Sequence, residues 1–418
     1  MKISILILAL FMLVHSVIAA AAPDEDILGK ARGYPIGNIR NHGTDESMRV
    51  GSQSNMDKIF PVRTLEKSAR PAEYRQGKLD PAFRYHPLIM SASGVRTDDA
   101  SYSIEEYLQH QRVTGLMVIK DGEILFEGYQ YDRTPAHRFV SHSMAKSITS
   151  LALGFAVEEG KIQSLDDKAS KYVKNLAGYA YGETSIRNLL RMASGVKFTE
   201  DYSGGDDLAR FIAIRAEKGL VAALQAFNQR EAPEGTRFHY ATSETYLLGL
   251  IVSSATGRPL ADYVAEKIWK PMGAEVDAAW IVDPQGYEYA GSSFNAVLRD
   301  YGRLGMLLAA DGMVNGVQVL PKEYLMEATD WHRHPEAFHP GKATSRMGYG
   351  YQFWLMPGAK RRFGLMGIRG QFIYVDPESR LVLVQTAVAR NASVFKQESM
   401  GFEFTGLWLA LLRTYGKQ

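Results

Sequence analysis

The chain contains no cysteine. Disulfides, thiolate nucleophiles, cysteine-bound metals and a lipidated N-terminal cysteine are thereby excluded. An excess of charge of either sign is also missing, with 48 lysines and arginines against 46 aspartates and glutamates in 418 residues. That balance does not force the basic face that nucleic acid demands, so no nucleic-acid partner is expected. Long apolar runs are absent beyond the N-terminus. There, residues 1–22 place Lys2 ahead of an apolar stretch from Ile3 to Val14, then Ala19, Ala20, Ala21 and Ala22 before Pro23. The stretch is shorter than the ~20 residues a spanning helix needs and reads as a secretory signal peptide. The mature chain is expected to be periplasmic or secreted, with no membrane span after signal cleavage.

What is present suits a large folded chain. Hydrophobic residues make up 46% of the chain, enough for one large core or two subdomains. Residues 23–100 are rich in glycine, proline and charge and predict an irregular N-terminal extension. Structure is expected to begin at Ser103-Ile104-Glu105-Glu106, which has capping-box spacing. A hairpin is predicted over 115–129, turning at Asp121-Gly122. A helix from about 143 to 159, apolar nearly all round, is expected to be buried. Helical signals dominate 161–284, return at 294–310 and 321–330, and give way to strands at 350–356, 361–367, 370–376 and 381–388. A last helix is predicted over 399–415. The expected architecture is α/β (α+β): an antiparallel sheet flanked by helices, formed from 101–160 and 285–418, with a mostly helical domain at 161–284 and a cleft between them.

Serine three residues before lysine occurs as Ser143/Lys146, Ser194/Lys197 and Ser393/Lys396. Only Ser143 opens a long buried helix. Residues three apart share a helix face, so the hydroxyl and amine can meet. Burial would lower the lysine pKa and free the amine to act on the serine. Farther along, Phe238-His239-Tyr240-Ala241-Thr242-Ser243 ends an extended segment and starts a helix. Tyr240 there could supply a base if a positive field made its phenolate accessible. A third stretch, Gly364-Leu365-Met366-Gly367-Ile368-Arg369-Gly370-Gln371, puts glycines beside a strand, where a backbone N–H can approach an oxyanion.

Taken in order, Ser-x-x-Lys, Tyr-x-Thr and the glycine-rich strand resemble the serine β-lactamase/penicillin-binding-protein superfamily. The chain is most similar in pattern to the class C-type branch with its 6-aminohexanoate-oligomer hydrolases and related esterases. Segments 185–196 and Arg299-Asp300-Tyr301-Gly302-Arg303-Leu304-Gly305 are similar to framework stretches of that branch. The resemblance implies that Ser143 is acylated, Lys146 is its proton partner and Tyr240 the base. It implies a substrate contact, and a hold on the leaving amine, for Tyr202. The oxyanion hole would combine the Ser143 N–H with one at Ile368 or Arg369, with Gly370 alongside. Two departures stand out. Thr242 occupies a position where β-lactamases carry asparagine, and no Lys-Thr-Gly or His-Thr-Gly precedes the last strands. Arg369 could supply the positive charge so lost.

The expected activity is therefore a serine hydrolase cleaving a small-molecule amide or ester through an acyl-enzyme. The alternatives are a D,D-peptidase or β-lactamase, or a silent ligand-binding protein of the same fold. No cofactor is required. His332, His334 and His339 lack a metal-ligating pattern, and no metal is expected. Loops 199–207 and 331–347 are expected to line the cleft, and the oligomeric state is left open.

Overall fold

In the computed structural model, residues 21–91, 94–395 and 398–417 are described; residues 1–20 of the expected signal peptide, and Lys396, lie outside them. The main sheet has eight strands. Its order is Gly348–Tyr349, Trp354–Leu355, Phe363–Gly367, Gln371–Asp376, Leu381–Ala387, Val113–Lys120, Glu123–Tyr129 and Arg75–Gln76. Neighbours are antiparallel except the edge strand Arg75–Gln76, which runs parallel to Glu123–Tyr129. Strands from before residue 130 thus pair with strands from after residue 347, and the sheet closes only when both parts of the chain meet.

Both faces of this sheet are covered, and its central strands are buried at nearly every position. Along Leu381–Ala387, Val382 and Val384 face one core while Leu381 and Leu383 face another. The first core holds the helix Ala145–Glu158 and the helix Leu298–Ala309. The second is filled by the helix Met400–Tyr415 with Tyr85 and Tyr107. Gly302 and Gly305 let the helix Leu298–Ala309 lie close on the sheet. A methyl group at Gly305 would stand 2.5 Å from Val382 Cγ1. That explains two glycines inside a helix, where they otherwise cost stability.

Between the two parts of the sheet, the regular structure from Ile186 to Trp269 is helical, with Asp207–Lys218 and Thr242–Thr256 as the long members. Several expectations need correction. Strand structure returns at Ala278–Ile281, before residue 285, and Phe294–Val297 is a strand ahead of the helix rather than its first turn. These two strands join Val62–Leu65 and Arg138–Val140 in a second antiparallel sheet. Residues 23–100 are therefore not only an irregular extension. They include the helix Glu46–Gln53, strands in both sheets, and a hairpin of Leu88–Ser91 with Gly94–Thr97. The first regular structure within 161–284, where helical signals dominate, is two single 3-10 turns, Ala169–Lys171 and Lys174–Leu176, rather than a longer helix.

Candidate active site

The helix Ala145–Glu158 is buried along nearly its whole length, and its polar residues fix its position. Ser147 Oγ donates to Gln352 O at 2.6 Å, Thr149 Oγ1 to Ala290 O at 2.7 Å and Ser150 Oγ to Tyr351 O at 2.7 Å. A buried hydroxyl without such a partner is costly, so each bond pins both rotation and depth. A tight turn precedes the helix. His142 has φ 43°, in the left-handed region, and Ser143 lies in the 3-10 turn His142–Met144. Strain of this kind persists only where surrounding bonds enforce it. Here Ser141 N donates to Phe294 O at 2.7 Å, and Phe294 N to Ser141 Oγ at 3.2 Å.

Lys146 is 1% exposed. Its Nζ donates to Ser143 Oγ at 3.0 Å and to Gly291 O at 2.7 Å. Burial pulls its pKa from 10.5 to about 8, with Glu200 acting in the opposite sense. Tyr240 completes the group. Its ring lies 5.1 Å from Lys146 Nζ, and Ser143 is near enough to its phenol to favour the phenolate. Stacking on Trp354 at 5.8 Å and an edge contact with Tyr349 at 6.2 Å hold the ring. The backbone behind it is tied down by His239 N donating to Met192 O at 2.8 Å.

The condition under which Tyr240 could supply a base, a positive field that makes its phenolate accessible, is opposed here. Burial pushes its phenol well above the ordinary value, and Glu200 pushes the same way. Glu200 itself is the residue the sequence reading missed. Its carboxylate accepts from Thr242 N at 2.7 Å, Thr242 Oγ1 at 2.6 Å and Tyr202 OH at 2.9 Å. Thr242, the departure from asparagine, thus points its hydroxyl at Glu200. Tyr202 has φ 63°, is 37% exposed, and lines the same cavity as Ser143 and Tyr240. The only cue to Glu200 was its position two residues before Tyr202.

The glycine-rich stretch divides. The strand Phe363–Gly367 ends against the turn that carries Ser143, where a methyl at Gly367 would stand 2.5 Å from Ser141 O and 3.1 Å from Ser143 N. Ile368 follows and lines the cavity. Arg369 does not serve either expected role. Its N–H donates to Ala392 O at 3.0 Å, and its guanidinium to Ala389 O at 3.0 Å and Arg390 O at 2.6 Å. The chain reverses at Arg369, φ 61°, and turns it away from the cleft. Gly370 also sits outside, packed near Met400 and Ala387. Of the two backbone donors left open for an oxyanion, Ile368 remains.

Of the other Ser-x-x-Lys pairs, Ser194/Lys197 has a structural explanation. Ser194 Oγ donates to buried Glu244 at 2.6 Å while Lys197 is exposed. The three histidine rings are each bonded to neighbours: His332 to Asp330 at 2.8 Å, His334 to Glu327 O at 2.8 Å, and His339 to His334 O at 2.6 Å. Among the described residues no helix is long and apolar enough to cross a membrane.

An antiparallel sheet assembled from separate parts of the chain, a helical region between them and a Ser–Lys pair opening a buried helix together define a β-lactamase/transpeptidase-like protein. Residues 103–392 match the sequence model of the Beta-lactamase family, and the chain belongs to that family, whose members include hydrolases of amide and ester bonds. Its relatives include the 6-aminohexanoate-dimer hydrolase of Paenarthrobacter ureafaciens, 24% identical over 322 residues, covering 73% of this chain and 79% of that protein. A provisionally assigned penicillin-binding protein of Bacillus subtilis strain 168 is 25% identical over 300 residues, covering 66% of this chain and 71% of that one. Among solved structures, a provisionally assigned 6-aminohexanoate-dimer hydrolase from Bacillus anthracis superposes with a TM-score of 0.77 at 20% identity, over 90% of this chain and 96% of its own.

Proposed function

We propose that the protein hydrolyses a small-molecule amide or ester through an acyl-enzyme on Ser143. The observation that carries this is the buried Lys146 amine, 3.0 Å from Ser143 Oγ, with its pKa drawn down to about 8. At pH 7 roughly a tenth of such an amine is neutral and able to accept a proton. Lys146 takes the Ser143 proton as Oγ attacks the carbonyl carbon. The negative charge moves to the carbonyl oxygen, facing the N–H groups of Ser143 and Ile368. Collapse breaks the bond to the leaving amine or alcohol, whose electron pair takes the proton of the Tyr240 phenol. Lys146 returns its proton to Tyr240, so the net transfer is from Ser143 to the leaving group. Water then repeats the sequence in reverse and releases the acid. A phenol that resists ionisation suits this donor role, with Lys146 as the resting base. Tyr202, which donates to Glu200, meets the leaving group in this reading. Export to the periplasm or medium is part of the same proposal and rests on residues 1–22.

β-Lactam and D-Ala-D-Ala substrates fit less well, because Thr242 is bound to Glu200 and Arg369 is turned away. The test is intact-mass analysis after a fluorophosphonate probe. One adduct is expected on the parent and none on Ser143→Ala. Equal labelling of Ser143→Ala would sink the assignment, and rapid nitrocefin turnover with inert p-nitrophenyl esters would redirect it to β-lactams.

A further inference from the structure

The cavity holding Ser143 has a volume of about 740 Å³. That is the size of a site for a drug-sized molecule, larger than one scissile bond needs. Its lining falls into two groups of different chemistry. One holds Ser143 with Tyr240, Glu200 and Tyr202. The other is an apolar wall in which Phe395 contacts Phe372 and Phe402, joined by Val394 and by Leu88 and Val95 from the N-terminal hairpin. That hairpin is pressed onto the helix Met400–Tyr415, where a methyl at Gly406 would stand 2.5 Å from His86 O and 3.0 Å from Leu88 N. The apolar wall is thus a fixed part of the fold.

One cation lines this cavity among the described residues, and it sits with the apolar wall. The Arg346 guanidinium carbon lies 4.5 Å from the Phe395 ring centroid and 4.6 Å from that of Phe402. Stacking on aromatic faces orients a guanidinium while leaving its in-plane N–H donors free. No carboxylate or other acceptor among the described residues takes those donors. The one carboxylate lining the cavity, Glu200, already accepts three hydrogen bonds from Thr242 and Tyr202.

In the proposed hydrolysis, on which this inference rests, the leaving group must lie beside its proton donor, Tyr240. The arm directed away from Tyr240 is then the acyl arm. We propose that the wall of Leu88, Val95, Phe372, Phe395 and Phe402 binds an extended apolar acyl chain, and that Arg346 takes a carboxylate at its far end. The substrate class is a monoamide or monoester of a medium-chain dicarboxylic acid. A guanidinium fork matches a terminal carboxylate in two parallel bonds.

The probes are p-nitrophenyl acetate, p-nitrophenyl octanoate and mono-p-nitrophenyl suberate. For the parent, kcat/KM should rise in that order. Arg346→Gln should lower the suberate-to-octanoate ratio about tenfold or more, the scale of a charge-assisted hydrogen bond. Arg346→Lys should fall between them. Val95→Asp, at an exposed edge of the wall, should lower the octanoate-to-acetate ratio. An unchanged suberate-to-octanoate ratio in Arg346→Gln, or a parent that prefers acetate, overturns the inference. Calorimetric titration of monomethyl suberate into Ser143→Ala, with and without Arg346→Gln, reads the subsite without turnover. Weaker binding in the double variant is expected, and equal binding refutes it. Absence of probe labelling at Ser143 would instead defeat the hydrolase proposal, while the titration still decides the subsite.

Discussion

Lys146→Met should abolish activity and, at neutral pH, stabilise the fold. The lysine carries its charge in a buried site, where the pKa falls from 10.5 to about 8. At 1.36 kcal/mol per pH unit, keeping the ammonium folded costs ~3 kcal/mol. Methionine fills similar volume without a charge. It also removes the bonds to Gly291 O and Ser143 Oγ, a loss of ~1–2 kcal/mol that leaves Gly291 O without this donor. The net gain at pH 7 is therefore ~1–2 kcal/mol. Its pH dependence is the sharper signature. Between pH 8 and 10.5 the unfolded lysine still binds its proton while the folded one has lost it, so parent stability rises with pH across that window. The methionine variant lacks this titration. Its advantage should be complete below pH 8, shrink through the window by ~2–3 kcal/mol, and end as a deficit above pH 10.5. Urea unfolding followed by tryptophan fluorescence at pH 7 and pH 10 measures both values. A variant less stable than the parent at pH 7, or a difference that does not move with pH, would refute the buried-charge reasoning.

Three further outcomes are expected besides the loss of labelling in Ser143→Ala. Tyr240→Phe keeps the ring on Trp354 but removes the proton donor, so kcat should fall by about 10²–10⁴ with little change in KM; a change confined to KM would contradict the role. Glu200→Gln removes the charge that raises the Lys146 pKa, so the acidic limb of the kcat/KM profile, expected near pH 8, should move to lower pH; a limb that stays or rises would contradict it. Gly367→Ala puts a methyl 2.5 Å from Ser141 O and should displace the nucleophile turn from the strand, lowering kcat by about tenfold to a hundredfold without unfolding the protein. Circular dichroism and steady-state kinetics on the same preparation separate those effects.

The parts of the fold read correctly from sequence are those whose pattern follows from local burial. The helix that follows Ser143 is apolar nearly all round because sheet and helices enclose it, and the strands Gln371–Asp376 and Leu381–Ala387 are mostly apolar because both faces are covered. The turn at Asp121-Gly122 was visible because both residues must adopt positive φ. What failed depended on distant partners. Phe294–Val297 has no local feature that makes it a strand; Arg138–Val140 and Ala278–Ile281 pair with it from either side. Arg369 looked poised to enter the cleft because its neighbours do, but one left-handed residue turns the chain outward. Glu200 acquires its place by a bond to Thr242, 42 positions away, which no spacing rule can find.

Glu200 also explains why two adjacent groups that could each act as a base are unequal. Burial opposes charge on both: it favours the neutral amine of Lys146 and the neutral phenol of Tyr240. The carboxylate then separates them. Beside Lys146 it offsets burial by favouring the ammonium, and the pKa settles at about 8 rather than lower. Beside Tyr240 it adds to burial, because a phenolate would be a second anion in the same enclosure. In the proposed hydrolysis, lysine is then close enough to neutrality to exchange a proton with Ser143 at physiological pH, and tyrosine acts as the donor. One carboxylate sets both states, and it is anchored by the threonine that stands where β-lactamases carry asparagine. Under the proposed hydrolysis, the Thr242–Glu200 pair belongs to the proton machinery.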